Sequence, residues 1–410
     1  MERTHLLTSF QDFGLAEPIA RALTEENYVT PTPIQAQTIP TALTGRDVVG
    51  IAQTGTGKTA SFALPILHRL LENRIKPQPK TARVLVLSPT RELSGQILDS
   101  FNAYGRHIRL SSTLAIGGVP MGRQVRSLMQ GVEVLVATPG RLLDLVQSNG
   151  LKLGSVEFLV LDEADRMLDM GFRPQVDKIV RRLPRNRQTM FFSATLDGEA
   201  GRIAGEYTRD AVTHEHAPEA VEAPAIEHRF VPTIHEHKLS ALVSELKSDR
   251  GLTLVFVRTK RGADRLVKRL GREGVEAVAM HGDKSQSQRE RALSRFEAGK
   301  IDTLVATDVA ARGIHVGGIS HVINFDPPED REGYVHRTGR TGRAGRTGSA
   351  ITFVNADQAG DVGKIAAALE LHDEWGSAGF TLKPAARPHA TGGGGSRRRN
   401  QRYRSRSSRW

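Results

Sequence analysis

Val48-Val-Gly-Ile-Ala-Gln-Thr-Gly-Thr-Gly-Lys-Thr59 is the stretch whose reading decides the fold. A short β-branched run passes through two glycines into a helical pattern, so strand, loop and helix follow in that order. The common phosphate-loop pattern has Gly at both ends of its gap, whereas position 52 is Ala. Gly55 and Gly57 still let the backbone turn so that its N–H groups face an anion. Gln53, Thr54 and Thr56 complete the loop, Lys58 reaches the β- and γ-phosphates, and the Thr59 hydroxyl holds Mg²⁺. A mere Gly-rich turn with a solvated lysine would need neither the strand before it nor the helix after it.

Outward from this loop, short apolar runs alternate with longer helical patterns, the signature of βα units on a parallel sheet. Strands are predicted near Val48–Ile51, Val84–Leu87, Val134–Ala137, Phe158–Leu161 and Met190–Ser193. The pattern fails over 208–226, where mixed charge, Pro and Ala without periodicity suit a linker. It resumes near Leu254–Val257, Ala277–Met280, Leu304–Ala306, Val322–Phe325 and Ile351–Val354. The expected organisation is an α/β domain over 1–207, a linker over 208–226, a second α/β domain over 227–372 and a disordered Arg-rich tail over 373–410. The tail has too little apolar surface to fold alone.

A chain of 410 residues with 39% hydrophobic and 25% charged residues suits two soluble domains plus an appendage. No run reaches the length of a membrane helix, and the first residues lack the apolar stretch of a signal peptide. With no cysteine, disulfides and thiolate metal sites are excluded. A cytoplasmic protein is expected. The net charge of +12 is unevenly placed: Lys383, Arg387, Arg397, Arg398, Arg399, Arg402, Arg404, Arg406 and Arg409 face no acid after 383, and removing these nine leaves +3. Basicity therefore belongs mainly to the appendage, whose charge suits an electrostatic tether for nucleic acid, with Tyr403 and Trp410 available for stacking. A solubilising or protein-binding tail is the plainer reading.

The apolar run Glu157-Phe-Leu-Val-Leu161 delivers Asp162-Glu-Ala-Asp165 to the C-terminal edge of a parallel sheet, where ligands gather. Asp162 is placed to hold Mg²⁺ through water, and Glu163 to orient and deprotonate an attacking water. An acidic quartet alone is as often a solvated turn. Paired with a phosphate loop upstream, it becomes the second half of a nucleotide site.

The four letters spell the DEAD box, and residues 10–348 resemble a DEAD-box RNA helicase. Asn27-Tyr-Val-Thr-Pro-Thr-Pro-Ile-Gln35 is similar to the family's Q motif, which implies that Gln35 pairs with the adenine edge and Tyr28 stacks on the base. Phe10 stands where the family keeps an isolated aromatic. Asn27 replaces its usual Gly. Pro89-Thr90-Arg91-Glu-Leu93, Gly117-Gly118 and Thr138-Pro139-Gly140-Arg141 are similar to RNA-facing motifs, and combine N–H groups, hydroxyls and arginines suited to phosphates and sugars. By the same resemblance Arg258, Thr259, Gly282, Gln286, Arg289, Thr307 and Gly313 are RNA contacts. Ser193-Ala-Thr195, Asp165 and His336 are assigned to coupling hydrolysis with strand separation.

His336-Arg-Thr-Gly-Arg340-Thr-Gly-Arg343 resembles the family's finger motif, with Arg340 and Arg343 reaching the γ-phosphate across a cleft. The family usually places an acid that contacts the ribose where this chain has His315. The resemblance implies two tandem RecA-like domains, with ATP and Mg²⁺ between them and catalysis by Lys58, Asp162, Glu163, Arg340 and Arg343. The expected activity is RNA-dependent ATP hydrolysis driving local, non-processive unwinding or remodelling of RNA and its protein complexes. An ATP-gated RNA clamp, in which hydrolysis only times release, is the alternative. Phosphate and sugar contacts do not separate RNA from DNA, so RNA rests on the resemblance. The short core and brief basic tail most resemble bacterial members of the RhlE-like branch.

Overall fold

Parallel strands are covered on both faces, and the near-continuous Val, Leu, Ile and Phe runs of this chain obey that rule. The computed structural model describes residues 9–53, 55–196, 198–216, 226–248, 251–311, 316–342 and 346–381. Its first sheet contains β1 (Val48–Ile51), β2 (Ala82–Leu87), β3 (Ser112–Ala115), β4 (Val132–Ala137), β5 (Phe158–Leu161), β6 (Gln188–Ser193) and β7 (Val212–Glu215). Their order is β3-β4-β2-β5-β6-β1-β7, with every pairing parallel. The second contains β8 (Ile226–Thr233), β9 (Leu252–Phe256), β10 (Val278–Met280), β11 (Thr303–Ala306), β12 (Ile319–Asn324) and β13 (Gly348–Asn355). It too is parallel throughout, in the order β10-β11-β9-β12-β13-β8.

Alternate residues of a strand face opposite ways, and the cores divide accordingly. Val84 and Val86 join Phe62, Phe101 and Phe192 on one face of the first sheet. Leu85 and Leu87 join Met167, Ile203 and Tyr207 on the other. In the second sheet Val255 and Val305 belong to one core, and Leu254, Phe256 and Leu304 to the opposite one. Among the described residues no helix is long and apolar enough to cross a membrane.

Two expected boundaries need correction. The linker expected from 208 begins with β7, which pairs with β1 as the seventh strand of the first sheet. Val212-Thr-His-Glu215 is an edge strand with alternating half-buried and exposed residues, so it lacks the apolar run that marks its neighbours. His214 is anchored there by the Thr41 hydroxyl at 2.9 Å. Residues 217–225 of the expected linker lie outside the described residues. The tail expected from 373 begins with the helix His372–Ser377, whose Trp375 is buried. Its indole stacks on Phe380 with centroids 4.4 Å apart and meets Phe230 edge-on at 5.0 Å. Residues 382–410 lie outside the described residues.

Candidate active site

The phosphate loop leaves β1 and enters the helix Lys58–Glu72. Gly55 and Gly57 have φ of 95° and 85°, the left-handed region that glycine tolerates without strain. A side chain at Gly57 would also collide with Gln35 Nε2. Gln35 is buried at the start of the helix Pro33–Leu43. Its Nε2 donates to the Gly57 carbonyl at 3.1 Å, and its Oε1 accepts from the Thr32 N–H at 2.8 Å. The Thr32 hydroxyl donates to the Thr56 carbonyl at 2.8 Å. The Gln35 amide therefore braces the loop from behind, a role the sequence reading did not give it.

Lys58 is buried, and its Nζ donates to the Ala52 carbonyl at 2.6 Å. The Ala52 N–H donates to the Ser193 carbonyl at 3.0 Å, which ties the loop to the end of β6. Asp162 and Glu163 follow β5 directly. Burial pushes the Asp162 carboxyl up to about 7, partly offset by the nearby Lys58 ammonium. Asp162 Oδ1 accepts from the Glu163 N–H at 3.0 Å. Glu163 has φ of 50°, a left-handed conformation that costs a non-glycine residue about 1–3 kcal/mol. Its Oε2 accepts from Arg166 Nη1 at 2.7 Å in a pair almost closed to solvent. Asp165 Oδ2 accepts from the Ala194 N–H at 3.1 Å and so joins the acidic turn to Ser193-Ala-Thr195. The Ser193 hydroxyl is buried with no partner among the described residues.

Gly55, Gly57, Lys58, Thr59, Asp162 and Glu163 share a cavity of about 250 Å³ with Tyr28. Besides Ala60 next to the loop, the lining includes Leu93, Gln96, Ser100 and Tyr104, none of them foreseen there. They lie three or four residues apart along the helix Arg91–Tyr104, and this one-face spacing is the sequence signal that could have found them. The Tyr104 hydroxyl meets that of Tyr28 at 2.8 Å, and burial followed by this contact drives its phenol far above the usual value. Phe10 is buried behind Tyr28, edge-on at 5.5 Å, and is not among the cavity residues. It packs against Tyr28 from the core.

Arg340 lines a separate cavity of about 160 Å³ in the second domain, with Arg258, Asp308, His336 and Arg337. Its Nε donates to the His336 carbonyl at 3.2 Å. Arg337, which the sequence reading left without a role, is the scaffold of this motif. It grips Asp308 through two contacts of 2.6 and 2.7 Å, donates to the Asp326 carbonyl at 2.6 Å and lies over the Phe256 ring. Among the described residues the two cavities have none in common. Thr54, Gly313, His315 and Arg343 lie outside the described residues.

The motifs expected to face RNA meet across the interface between the sheets. Thr90 and Thr259 each cap a helix, accepting from Leu93 and Gly262 N–H groups at 3.2 and 3.0 Å. Pro139 opens the helix Pro139–Gln147 after Thr138, with Gly140 in its first turn. Arg91 packs against Gly117 and Gly118, whose φ of 78° and lack of a side chain permit the approach. Gly118 also lies near the Gln286 N–H of the other domain. Arg141 donates to the Val119 carbonyl at 2.7 Å. Arg289 Nε reaches Glu92 Oε1 at 2.6 Å, both side chains buried, and so bridges the domains. Burial and then the Arg289 charge depress the Arg91 guanidinium, with Arg141 adding to the effect. Arg91 Nη1 and Arg141 Nε are buried without hydrogen-bond partners among the described residues, and Asp144 Oδ2 lies 3.7 Å from Arg141 Nε. Three guanidinium groups thus meet two carboxylates, Glu92 beside Arg289 and Asp144 beside Arg141, which leaves positive charge in excess. Pro89 precedes this cluster, Arg258 is held by its backbone N–H to Asp326 at 2.9 Å, and the Thr307 N–H donates to the Met280 carbonyl at 3.3 Å. Gly282 packs against Lys260.

Residues 32–203 match the DEAD/DEAH box helicase family, and residues 237–345 match the helicase conserved C-terminal domain. The chain is similar to DEAD-box ATP-dependent RNA helicase 20 of Oryza sativa, 44% identical over 85% of this chain and 72% of that one. It is also similar to the ATP-dependent RNA helicase CshA of Listeria monocytogenes, 42% identical over 86% and 67%. The structure of S. cerevisiae Dbp5 bound to RNA and ADP BeF3 superposes with a TM-score of 0.76, at 31% identity, over 89% of this chain and 93% of that one. The two sheets are tandem RecA-like domains. The chain belongs to the DEAD-box ATP-dependent RNA helicases.

Proposed function

We propose that the chain couples ATP hydrolysis to local, non-processive unwinding or remodelling of RNA and its protein complexes. The observation that carries this reading is the Glu92–Arg289 bridge, which sets the phosphate-seeking motifs of both domains side by side. ATP enters the cavity against Tyr28 and the phosphate loop, while RNA lies along Arg91, Gly118, Thr138, Arg141, Arg258, Gln286 and Arg289. Each ligand spans both domains, so each favours closure and strengthens the other's binding. Lys58 neutralises phosphate charge, Glu163 deprotonates the attacking water, and Arg340 with Arg343 completes the site on closure. Thr59 and Asp162 form an all-oxygen donor pair that fits Mg²⁺, and the rise of the Asp162 carboxyl is the response of a buried group that lacks a full counter-charge. When bound, Mg²⁺ neutralises charge developing on the phosphates. Asp165, held to the Ala194 N–H, with Ser193, Thr195 and His336, carries the state of the nucleotide to the RNA face.

Glu92→Gln tests the shared closure. It removes one of the two carboxylates that accompany the Arg91, Arg141 and Arg289 guanidinium groups, the one that pairs with Arg289. Breaking one partner of a buried pair costs about 3–5 kcal/mol, more than the gain in attraction for one phosphate. The RNA concentration for half-maximal ATPase stimulation is expected to rise roughly tenfold, within the usual range of coupling energies. Turnover at saturating RNA stays near wild type. An unchanged half-maximal concentration would remove the bridge from the coupling.

The Arg-rich segment from 383 onward acts, in the same proposal, as an electrostatic RNA tether. Deleting 383–410 should weaken RNA binding and flatten its salt dependence, each lost phosphate contact lowering the slope by about 0.7 on single strands. Equal affinity for the two proteins at all salt concentrations would eliminate the tether. That basic segment also underlies the proposed RhlE-like branch, which a phylogeny grouping the chain with CshA would refute. A cytoplasmic location agrees with the RNA substrate and the cysteine-free sequence.

A further inference from the structure

A groove of about 320 Å³ opens at the β10 edge of the second sheet and, among the described residues, has none in common with either cavity above. Among the described residues β10 pairs only with β11, so no described strand lies along the other side of its backbone. The helices Lys260–Arg272 and Gln286–Glu297 both contact β10 and wall the groove. Val267, Val278, Ala279 and Ala292 supply an apolar floor. Lys268, Arg291 and Arg295 stand exposed around it, and none has an ion-pair partner among the described residues. The one carboxylate in the lining, Asp264, is taken up by Lys284 at 2.8 Å. Three uncompensated cations therefore surround an apolar strip beside an open strand edge.

An open edge is a template for another extended backbone, and small apolar depressions accept its alternate side chains. Among the described residues the groove lining contains no aromatic side chain on which a nucleobase could stack. We propose that this groove docks an extended acidic segment of a partner protein, which adds to β10 as a strand. Its small apolar residues rest on Val267 and Val278, and its flanking carboxylates meet Lys268, Arg291 and Arg295. Such a site would bring the helicase to an RNA–protein complex without occupying its RNA face.

The test uses the full chain and a fluorescein-labelled peptide of alternating valine and glutamate flanked by aspartates, followed by anisotropy. Saturable binding is expected, weakened about tenfold or more by Arg291→Glu with Arg295→Glu, because like charges then face each other. Lys268→Glu, on the opposite helix, should weaken it in the same direction and guards against a folding defect in the double variant. The same peptide N-methylated at alternate amides should bind less well, since it cannot complete a strand. Oligouridine affinity and RNA-stimulated ATPase should stay within about twofold of wild type. Equal peptide affinity for wild type and both charge variants would place binding elsewhere, on the basic tail for example. Loss of oligouridine affinity in the charge variants would make the groove an RNA surface. Undiminished binding of the N-methylated peptide would leave charge attraction without strand addition.

Discussion

Arg340→Ala is expected to lower RNA-stimulated ATP turnover by about 10³–10⁵-fold, the usual contribution of an arginine finger in phosphoryl transfer. The expectation rests on how the two cavities divide the chemistry. Loop, lysine and carboxylates lie on the first domain, yet among the described residues that cavity holds no cation from the second. Arg340 waits in its own cavity, buried, its Nε on the His336 carbonyl. Arg337, three residues before it, is held by Asp308 and the Asp326 carbonyl, which braces the turn that carries Arg340. Nucleotide affinity should change little, because the finger acts where charge develops rather than on the ground state. Arg340→Lys should not restore turnover, since an ammonium lacks the planar fork. Single-turnover hydrolysis at saturating RNA measures the effect. A loss smaller than tenfold would mean that Arg340 serves RNA binding instead.

Why the loop and the acidic turn were readable, and the bridge was not, follows from where each signal resides. Gly55, Gly57, Lys58 and Asp162-Glu163 are local: their chemistry needs a strand before them and little else. The apolar runs of β1, β2, β4, β5 and β6 announce themselves because both faces are buried. The edge strands β3, β7 and β8 do not, because one side of each meets solvent and their residues mix polar with apolar. Trp375 was lost among polar neighbours, although it packs against β8 from far along the chain.

Side-chain partnership is harder still. Glu92 and Arg289 both sat inside motifs assigned to RNA, but their meeting depends on how two domains face each other, which no local pattern encodes. Gln35 carried an adenine assignment from resemblance, while its fit behind Gly57 depends on a glycine with no side chain to obstruct it. Phe10 shows the same limit from the other side. Its position matched the family's aromatic, and the packing places it one layer behind Tyr28.

Glu163→Gln should reduce turnover by about 10²–10⁴-fold, the range for loss of a positioned general base. The substitution keeps the shape of the side chain and leaves an amide oxygen that still accepts from Arg166, so the turn survives. The left-handed backbone at 163 is strained equally by either residue, and removing the carboxylate beside Asp162 also removes one cause that raises that group. Asp162 therefore ionises more readily in the variant, and ATP binding should be maintained or improved. With binding intact and hydrolysis blocked, ATP and RNA hold the domains closed together, and RNA should dissociate more slowly from the variant than from wild type. Paired measurements of RNA release and strand separation then divide the two mechanisms. A motor loses repeated unwinding, because reopening requires hydrolysis. A clamp keeps its function as a long-lived complex. If turnover instead falls less than tenfold while the unfolding midpoint drops by several degrees, Glu163 is a structural partner of Arg166, and the base must be sought elsewhere in the cavity.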